Sequence, residues 1–282
     1  MTTTDTNRLA YSGRVPPHAR QAAAVRRWGW WYQAEWRLAG MLAYWSAIVG
    51  EVLLTPVLYV LAMGVGLGRL VDANAGGAGG VPYLTFVGPG LLIGTVVMSV
   101  TGETTYPVTD GFQWNRMYFS RSATPASPAQ IVAGELVAIG IRMLAAALIF
   151  WAVLLGFGVA GPGSWPVCFV AALAALALGA PIMAYAITVV GEGPGFSVLQ
   201  RLIVAPMFLF AGTFYPLESM PVWLRWVGWV SPMWHGTQLS RALTYGMPQS
   251  GWAVAGHLAF LAAATAVGAR LAVRNFTARV TR

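Results

Sequence analysis

The sequence contains no lysine, because all 17 of its basic residues are arginines. A phosphate-binding loop of the G-x-x-x-x-G-K-[ST] type needs its lysine, so we expect no ATP hydrolysis by that route. Schiff-base chemistry on a lysine is excluded for the same reason. The single cysteine, Cys168, excludes an intrachain disulfide and a thiolate metal cluster. We interpret it as a small buried side chain within a membrane span.

Charged residues are also scarce, at 9% of the chain against 57% hydrophobic residues, and the mean hydropathy is +0.63. Soluble domains carry about a quarter of their residues as charged side chains. We therefore predict an all-α polytopic membrane protein of six spans, since a span with its connection uses roughly 40 residues. The net charge of +8 indicates membrane orientation and anionic lipid as a partner, rather than nucleic acid.

The N-terminal region divides into two parts. Residues 1–17 are polar and rich in threonine, which predicts a disordered cytosolic tail. Residues 18–37 combine five Trp and Tyr side chains with arginines, which is typical of an interfacial amphipathic helix on a membrane surface. Stacking of these aromatics on nucleic acid is the alternative, and the adjoining span argues against it. The region lacks the apolar core of a cleavable signal peptide.

Apolar runs predict a six-helix membrane domain over residues 38–275, followed by a cytosolic tail, 276–282. The predicted spans cover residues 38–67, 83–108, 131–159 (beginning near Pro128), 167–190, 198–214 and 252–273. We expect Pro56 to kink or break the first span and Pro181 to break the fourth, and a glycine-rich loop at residues 69–82. The fifth span is short, and the proline-broken, tryptophan-rich segment after it predicts re-entrant helices before the last span.

The longest polar interruption between two spans covers residues 101–130. Its centre, residues 111–122, mixes aromatic and basic side chains behind Asp110, a candidate N-cap, and predicts one short amphipathic helix. This helix is either an interfacial anchor or a docking helix that couples the chain to a cytosolic partner. The candidate coupling residues are Asp110, Phe112, Trp114, Arg116, Tyr118, Phe119 and Arg121.

The distribution of arginines predicts the orientation of the chain. If both termini are cytosolic, 13 arginines lie on the inner side, and only Arg69, Arg225 and Arg241 lie on the outer side. Such an excess follows the positive-inside rule. We therefore expect a multi-pass protein of the cytoplasmic membrane with both termini and the 101–130 loop in the cytosol.

Four ionisable residues fall within or at the ends of the predicted spans: Glu51, Glu103, Glu135 and Arg142. Each costs at least ~2.5 kcal/mol at the centre of a membrane helix, so each is a functional candidate. Glu135 and Arg142 lie two turns apart and share a helix face, and we expect each to face a neighbouring helix or a polar cavity. The four residues either line a translocation path or form a structural polar network between helices or subunits.

No catalytic motif is present in the sequence. His18, His235 and His257 are scattered, without H-E-x-x-H, and no serine lies in G-x-S-x-G. A membrane-embedded enzyme that modifies lipid, with Glu51, Glu103 or His235 as its base, is one alternative function. A non-catalytic membrane scaffold is another.

Five stretches together resemble the permease subunits of ABC exporters in the ABC-2 membrane family, especially the nodulation-factor exporter branch. They are TPVLYVLAMGVGLG (55–68), GPGLLIGTVV (88–97), TGETTYPVTDGFQWNRMYFS (101–120), ATPASPAQIVAGEL (123–136) and PMFLFAGTFYPLESMPVWLRWVGWVSPMWHGTQLSRAL (206–243). The resemblance covers about residues 36–274, and its last stretch is the most specific.

This resemblance implies six spans, an N-terminal surface helix, re-entrant helices and a first cytosolic loop that docks on a separate ATP-binding subunit. It implies that the permease pairs with a second copy or a related permease. ATP and Mg²⁺ belong to the partner subunit, and no cofactor or metal site is expected in this chain. Substrates in the wider family are lipo-oligosaccharides, polysaccharides, lipids and amphipathic drugs, moved outward. The absence of lysine agrees with a motor on another polypeptide.

Overall fold

A computed structural model describes residues 18–43, 45–191 and 195–281, and these ranges contain helices and turns but no β-strand. The predicted all-α fold is therefore confirmed. The predicted disordered tail, residues 1–17, lies outside the described residues. The helices are α1 His18–Leu42, α2 Trp45–Val60, α3 Arg69–Ala75, α4 Tyr83–Thr104, α5 Tyr106–Gln113, α6 Met117–Ser122, α7 Pro128–Gly156, α8 Val167–Thr188, α9 Gly195–Leu199, α10 Ala205–Phe210, α11 Val222–Val230, α12 Pro232–Tyr245 and α13 Gly251–Val280.

Within the described ranges, five helical segments are long and apolar enough to cross a membrane. They are Val52–Ala75, Tyr83–Gln113, Pro128–Gly156, Pro162–Thr188 and Gly251–Val280. The predicted fifth span corresponds to the shorter apolar helix Gly195–Phe210, which includes a π-helical turn at Gln200–Val204. A full crossing takes ~20 apolar residues, so a sixth crossing stays a prediction.

The first span differs from its prediction in its course. α1 continues past residue 37 to Leu42, and the next helix, α2, begins at Trp45. α2 passes through Pro56 without ending there and continues through the π-helical segment Leu61–Gly68 into α3. The prediction of a loop over residues 69–75 was therefore wrong.

The prediction that Pro181 breaks the fourth span was also wrong, because α8 is continuous from Val167 to Thr188. α8 packs against α4, α7, α12 and α13, and this packing outweighs the single backbone hydrogen bond that proline removes. α13 crosses α8 at Pro181. A β-carbon added to Gly268 would lie 2.4 Å from Pro181 Cδ, so only glycine allows this approach. Cys168 is buried in α8, as expected.

α4 lies at the centre of the packed helices. Three neighbouring helices approach α4 closely, and each contact pairs a glycine with a larger residue. Gly94 of α4 contacts Phe208 of α10, Val100 of α4 contacts Gly179 of α8, and Ile93 of α4 contacts Gly236 of α12. A β-carbon at any of these glycines would lie within 3.0 Å of the neighbouring side chain. Close helix approach at small residues is the usual packing mode in membranes.

The segment before the last span forms two short helices, α11 and α12. Ser231 separates them and caps α12, since its side chain accepts a hydrogen bond from the Met233 N–H. α12 is largely buried against α4 and α8, whereas α11 presents exposed tryptophans: Trp223, Trp226 and Trp229. A re-entrant course of this segment in a membrane stays a prediction.

Candidate functional site

The predicted coupling segment is two helices rather than one. α5 ends at Gln113, α6 begins at Met117, and between them Arg116 adopts the left-handed conformation with φ 52°. The N–H groups of Trp114 and Asn115 both donate to the Asp110 carbonyl, which closes the end of α5. The prediction of a continuous helix over residues 111–122, with Asp110 as its N-cap, was therefore wrong: Asp110 lies inside α5.

The inner face of this segment is an aromatic cluster packed on the last helix. Phe112 and Tyr118 have ring centroids 4.7 Å apart, and Phe276 of α13 lies 5.2 Å from Phe112 and 5.4 Å from Tyr118. All three side chains are buried. Burial, together with the nearby negative charge of Glu135, raises the pKa of the Tyr118 hydroxyl well above its ordinary value, so this side chain stays neutral.

A cluster of five charged residues connects α6 to α1, α4 and α7. Arg37 Nη2 lies 3.1 Å from Glu103 Oε2, and Arg37 Nε lies 3.2 Å from Glu135 Oε2. Arg121 Nη1 lies 2.8 Å from Glu135 Oε1, and Arg142 pairs with Glu103 Oε1. We call these residues, Arg37, Glu103, Arg121, Glu135 and Arg142, the charge cluster.

The charge cluster is held in a mostly dehydrated position. The Glu135 side chain is only 4% exposed and that of Arg121 only 10%. The Arg121 guanidinium also lies over the ring of Trp36, 3.8 Å from its centroid. Three guanidinium groups face two carboxylates, so each carboxylate is shared between two arginines. Removing a partner from such a buried pair leaves an uncompensated charge, which makes the arrangement sensitive to displacement.

α1 is fastened to the first turns of α7 beside the charge cluster. α7 begins with a capping box, in which Ser127 and Gln130 each bind the other's backbone N–H. The Gln130 side-chain amide also donates to the Val25 and Arg26 carbonyls of α1, at 3.2 and 2.8 Å. One turn further along α7, Gly134 meets α1 so closely that an added β-carbon would lie 2.6 Å from the Trp30 carbonyl oxygen.

Fewer of the candidate coupling residues are exposed on the loop than the sequence predicted. Trp114 is 54% exposed and Phe119 37% exposed, and Arg116 is exposed with its guanidinium 5.4 Å from the Phe119 ring centroid. We call these three residues the exposed knob. Of the other candidates, Phe112, Tyr118 and Arg121 are buried, and half-buried Asp110 binds Asn115.

The structure brings together three of the four candidates from the spans. Glu103 and Glu135 are joined through Arg37, and Arg142 is bound to Glu103. Glu51 lies on α2, and its side chain lies outside what the structure describes. Sequence reasoning missed Arg37 as a member, because it was assigned to the surface helix. Arg37 is the last arginine before an apolar run, and this position was the feature of the sequence that could have indicated its membership of the charge cluster.

Of the three candidate bases of an enzyme, the two whose side chains the structure describes, Glu103 and His235, have separate sets of partners. Glu103 is occupied by two arginines. His235 lies in a different part of the chain, with Nδ1 2.7 Å from His257 Nδ1 and Nε2 3.0 Å from the Trp229 carbonyl oxygen. Since that carbonyl can only accept, His235 Nε2 carries a proton, and neutral His257 then donates from Nδ1 to His235. The pair is a buried structural link between α11, α12 and α13.

Comparison with known proteins gives the family. The profile of the ABC-2 type transporter matches residues 35–245, about three quarters of the chain. The chain belongs to the ABC-2 type transporter family. It is similar to Nodulation protein J of Sinorhizobium fredii, with 28% identity over 243 residues, or 83% of this chain and 89% of that protein. Nodulation protein J of Rhizobium leguminosarum bv. viciae is 29% identical over 229 residues, covering 76% and 82%.

Membership of the ABC-2 type family makes the chain a multi-pass membrane subunit of a transporter. ABC-2 permeases work with an ATP-binding subunit, generally as dimers. The family match begins at residue 35, and so includes Arg37 and every other member of the charge cluster, together with the exposed knob. It ends at residue 245, the last residue of α12.

Proposed function

We propose that this chain is the transmembrane permease subunit of an ATP-driven exporter, and that a separate subunit binds ATP and Mg²⁺ and hydrolyses the nucleotide. The proposed substrate is an amphipathic or glycosylated molecule: a lipo-oligosaccharide, polysaccharide, lipid or drug. The functional complex contains two permeases, either two copies of this chain or this chain with a related one. Membership of the ABC-2 type transporter family and similarity to Nodulation protein J support the role of a transport subunit, and the range of substrates stays open.

One observation carries the proposal: the loop has an exposed face and a deeply anchored face. The exposed knob offers two aromatic rings and one cation to a partner. Two residues after Phe119, Arg121 enters the charge cluster and contacts Glu135 of α7. Aromatic and arginine side chains are the types that dominate protein–protein hot spots.

The mechanism follows from this connection. Closure of the ATP-binding subunits would push the exposed knob, and α6 would pass the displacement through Arg121 to Glu135 and Arg37. Because Arg37 also holds Glu103, α1, α4 and α7 would tilt together and open an outward path. A change in nucleotide state can shift the permease only if the partner binds the two conformations with different affinities.

The proposed membrane arrangement keeps six spans, with Gly195–Phe210 as the short fifth span and α11–α12 as a re-entrant pair before α13. Both termini and the loop that carries the exposed knob lie in the cytosol of a cell with a cytoplasmic membrane. The excess of arginines at this end of the helices supports that orientation.

The experiment is affinity purification of the tagged chain in mild detergent, with identification of the proteins that accompany it. We expect a stoichiometric P-loop ATPase with the unaltered chain and its loss from the triple variant Trp114→Ala, Arg116→Glu, Phe119→Ala. The matched control is Arg69→Glu, an exposed arginine at the opposite end of the helices, which should retain the ATPase. Equal melting temperatures would show that the variants are folded.

Two results would contradict the proposal. Absence of an ATPase under conditions that preserve other membrane complexes would favour a scaffold. If the folded triple variant still co-purified fully with the ATPase, the exposed knob would not be the docking site. Arg121→Glu is unsuitable for this test, because it would place a third carboxylate inside the charge cluster and disturb folding.

A further inference from the structure

Two adjoining apolar grooves lie along the outer surface of α7. One open groove of about 520 Å³ lies between α7 and α13, and a second of about 390 Å³ lies between α7 and α8. The two grooves adjoin at Leu136 and Val137, which line both. Together they extend along α7 from Ala129 to Leu144, which is about 22 Å at 1.5 Å per residue. We call the two adjoining grooves the α7 trough.

Small side chains create the α7 trough. Ala129 and Ala133 of α7 face Ala269 of α13 in its first half, and Gly140 lies in its second half. Larger side chains at these positions would fill the space between the helices. The lining is hydrophobic along its whole length except at one end, where Arg270 lies. A depression of this kind suits a flexible hydrocarbon chain and offers nothing to a polar ligand beyond Arg270.

Arg270 is an exposed cation with no hydrogen bond or ion pair to any described residue, and no acidic side chain lines the α7 trough. Arg274, one turn further along α13, is also exposed. Two arginines one turn apart on the exposed side of a membrane helix form a site for a phosphate group.

The depth of Arg270 matches the headgroup layer of a bilayer. Trp252, 89% exposed, marks the other end of α13, where an aromatic side chain prefers the interface. Eighteen residues separate Trp252 from Arg270, or about 27 Å along a helix, close to the ~30 Å thickness of the hydrocarbon core. An acyl chain in the α7 trough would therefore extend from a phosphate at Arg270 towards the bilayer centre.

We propose that the α7 trough binds one anionic glycerophospholipid, with its phosphate at Arg270 and Arg274 and one acyl chain along Ala133, Val137 and Gly140. The site lies on the side of α7 away from the buried Glu135 of the charge cluster. The proposal does not depend on the direction of transport or on the substrate. The small residues form the groove for the chain, and the arginines select the negative headgroup.

The test is native mass spectrometry of the purified full chain after incubation with phosphatidylglycerol or phosphatidylcholine. The unaltered protein should retain one phosphatidylglycerol at collision energies that remove phosphatidylcholine. Arg270→Gln should lower retention of phosphatidylglycerol about fivefold, the equivalent of ~1 kcal/mol per arginine near anionic lipid. Arg69→Gln, which removes an exposed arginine far from the trough, is the matched control and should have no effect.

Ala133→Leu and Ala269→Leu test the trough from its two walls, and each should reduce retention of the lipid while the melting temperature is maintained. Equal phosphatidylglycerol retention by the unaltered protein, Arg270→Gln and both leucine variants would overturn the proposal. A loss caused only by Arg270→Gln would indicate a headgroup held by charge without the trough, and would also overturn it. Conversion of a dimer into monomers by the leucine variants would assign the trough to a second copy instead of lipid.

Discussion

Arg37 holds glutamates from two different helices, although its neighbours in the sequence are those of a surface helix. The other four members of the charge cluster could be selected from sequence, Arg121 as a coupling residue of the polar loop, and Glu103, Glu135 and Arg142 because each charge is expensive in apolar surroundings. Their pairing could not, since Arg37 and Glu103 are 66 residues apart and no local pattern encodes that contact. The sequence thus identified candidate residues, and only the packing of the helices shows which of them form salt bridges with each other.

Glu135→Gln should destabilise the protein strongly, because Arg121 and Arg37 would each lose a buried partner. The expected loss is about 3–5 kcal/mol in the free energy of unfolding. Thermal unfolding in detergent, followed by tryptophan fluorescence, measures the shift. Glu35→Gln, an exposed residue on α1, is the matched control and should change little. Equal melting temperatures for the two variants would show that the charge cluster does not support the fold.

The histidine pair gives a second prediction for single side chains. His257→Phe keeps a ring at this position but leaves His235 Nδ1 buried without its partner, at a cost of about 1–3 kcal/mol. His257→Gln retains an N–H donor and should lose less stability. Chemical denaturation of the two variants side by side measures the difference. If both variants lose the same amount, the link between α12 and α13 depends on ring packing rather than on the hydrogen bond.

The boundaries of the helices were predictable where local chemistry sets them. α7 begins at Pro128 as expected, because Ser127 and Gln130 form a capping box around it. Prediction failed at Pro181, where packing on four sides sustains the helix, and at residues 114–116, where arginine adopts a conformation that it rarely takes. The first failure comes from tertiary contacts that override a local preference, whereas at residues 114–116 local hydrogen bonds to the Asp110 carbonyl end the helix.

The crossing of α1 and α7 depends on Gly134. Gly134→Ala would place a methyl group 2.4 Å from Gln33 Cβ and 2.6 Å from the Trp30 carbonyl oxygen, so α1 must move away. We expect a loss of about 1–3 kcal/mol and faster proteolysis within α1. Gly102→Ala, on α4 with nothing within 4 Å of the added carbon, is the control and should be neutral or slightly stabilising. A neutral Gly134→Ala would contradict tight docking of α1.

The chain as a whole can be tested for orientation because it has a single, buried cysteine. In a Cys168→Ala background, we expect Asn74→Cys and Gly163→Cys to react with a membrane-impermeant maleimide in intact cells. Asn115→Cys and Thr281→Cys should react only after the membrane is opened. All four positions are exposed, so burial does not explain a difference. Labelling of Asn115→Cys from outside would reverse the proposed topology.

α1 is attached to α7 at two points, the Gln130 amide and the Gly134 crossing. The salt bridges of Arg37 add further attachments. These contacts hold α1 firmly against α7 and α4. Compliance is concentrated instead at two joints, the bend at Thr105 after α4 and residues 114–116 between α5 and α6. A force applied to the loop would therefore either bend the chain at these two joints or rotate α1, α4 and α7 together. The stiffness of the joints would determine how far these helices rotate.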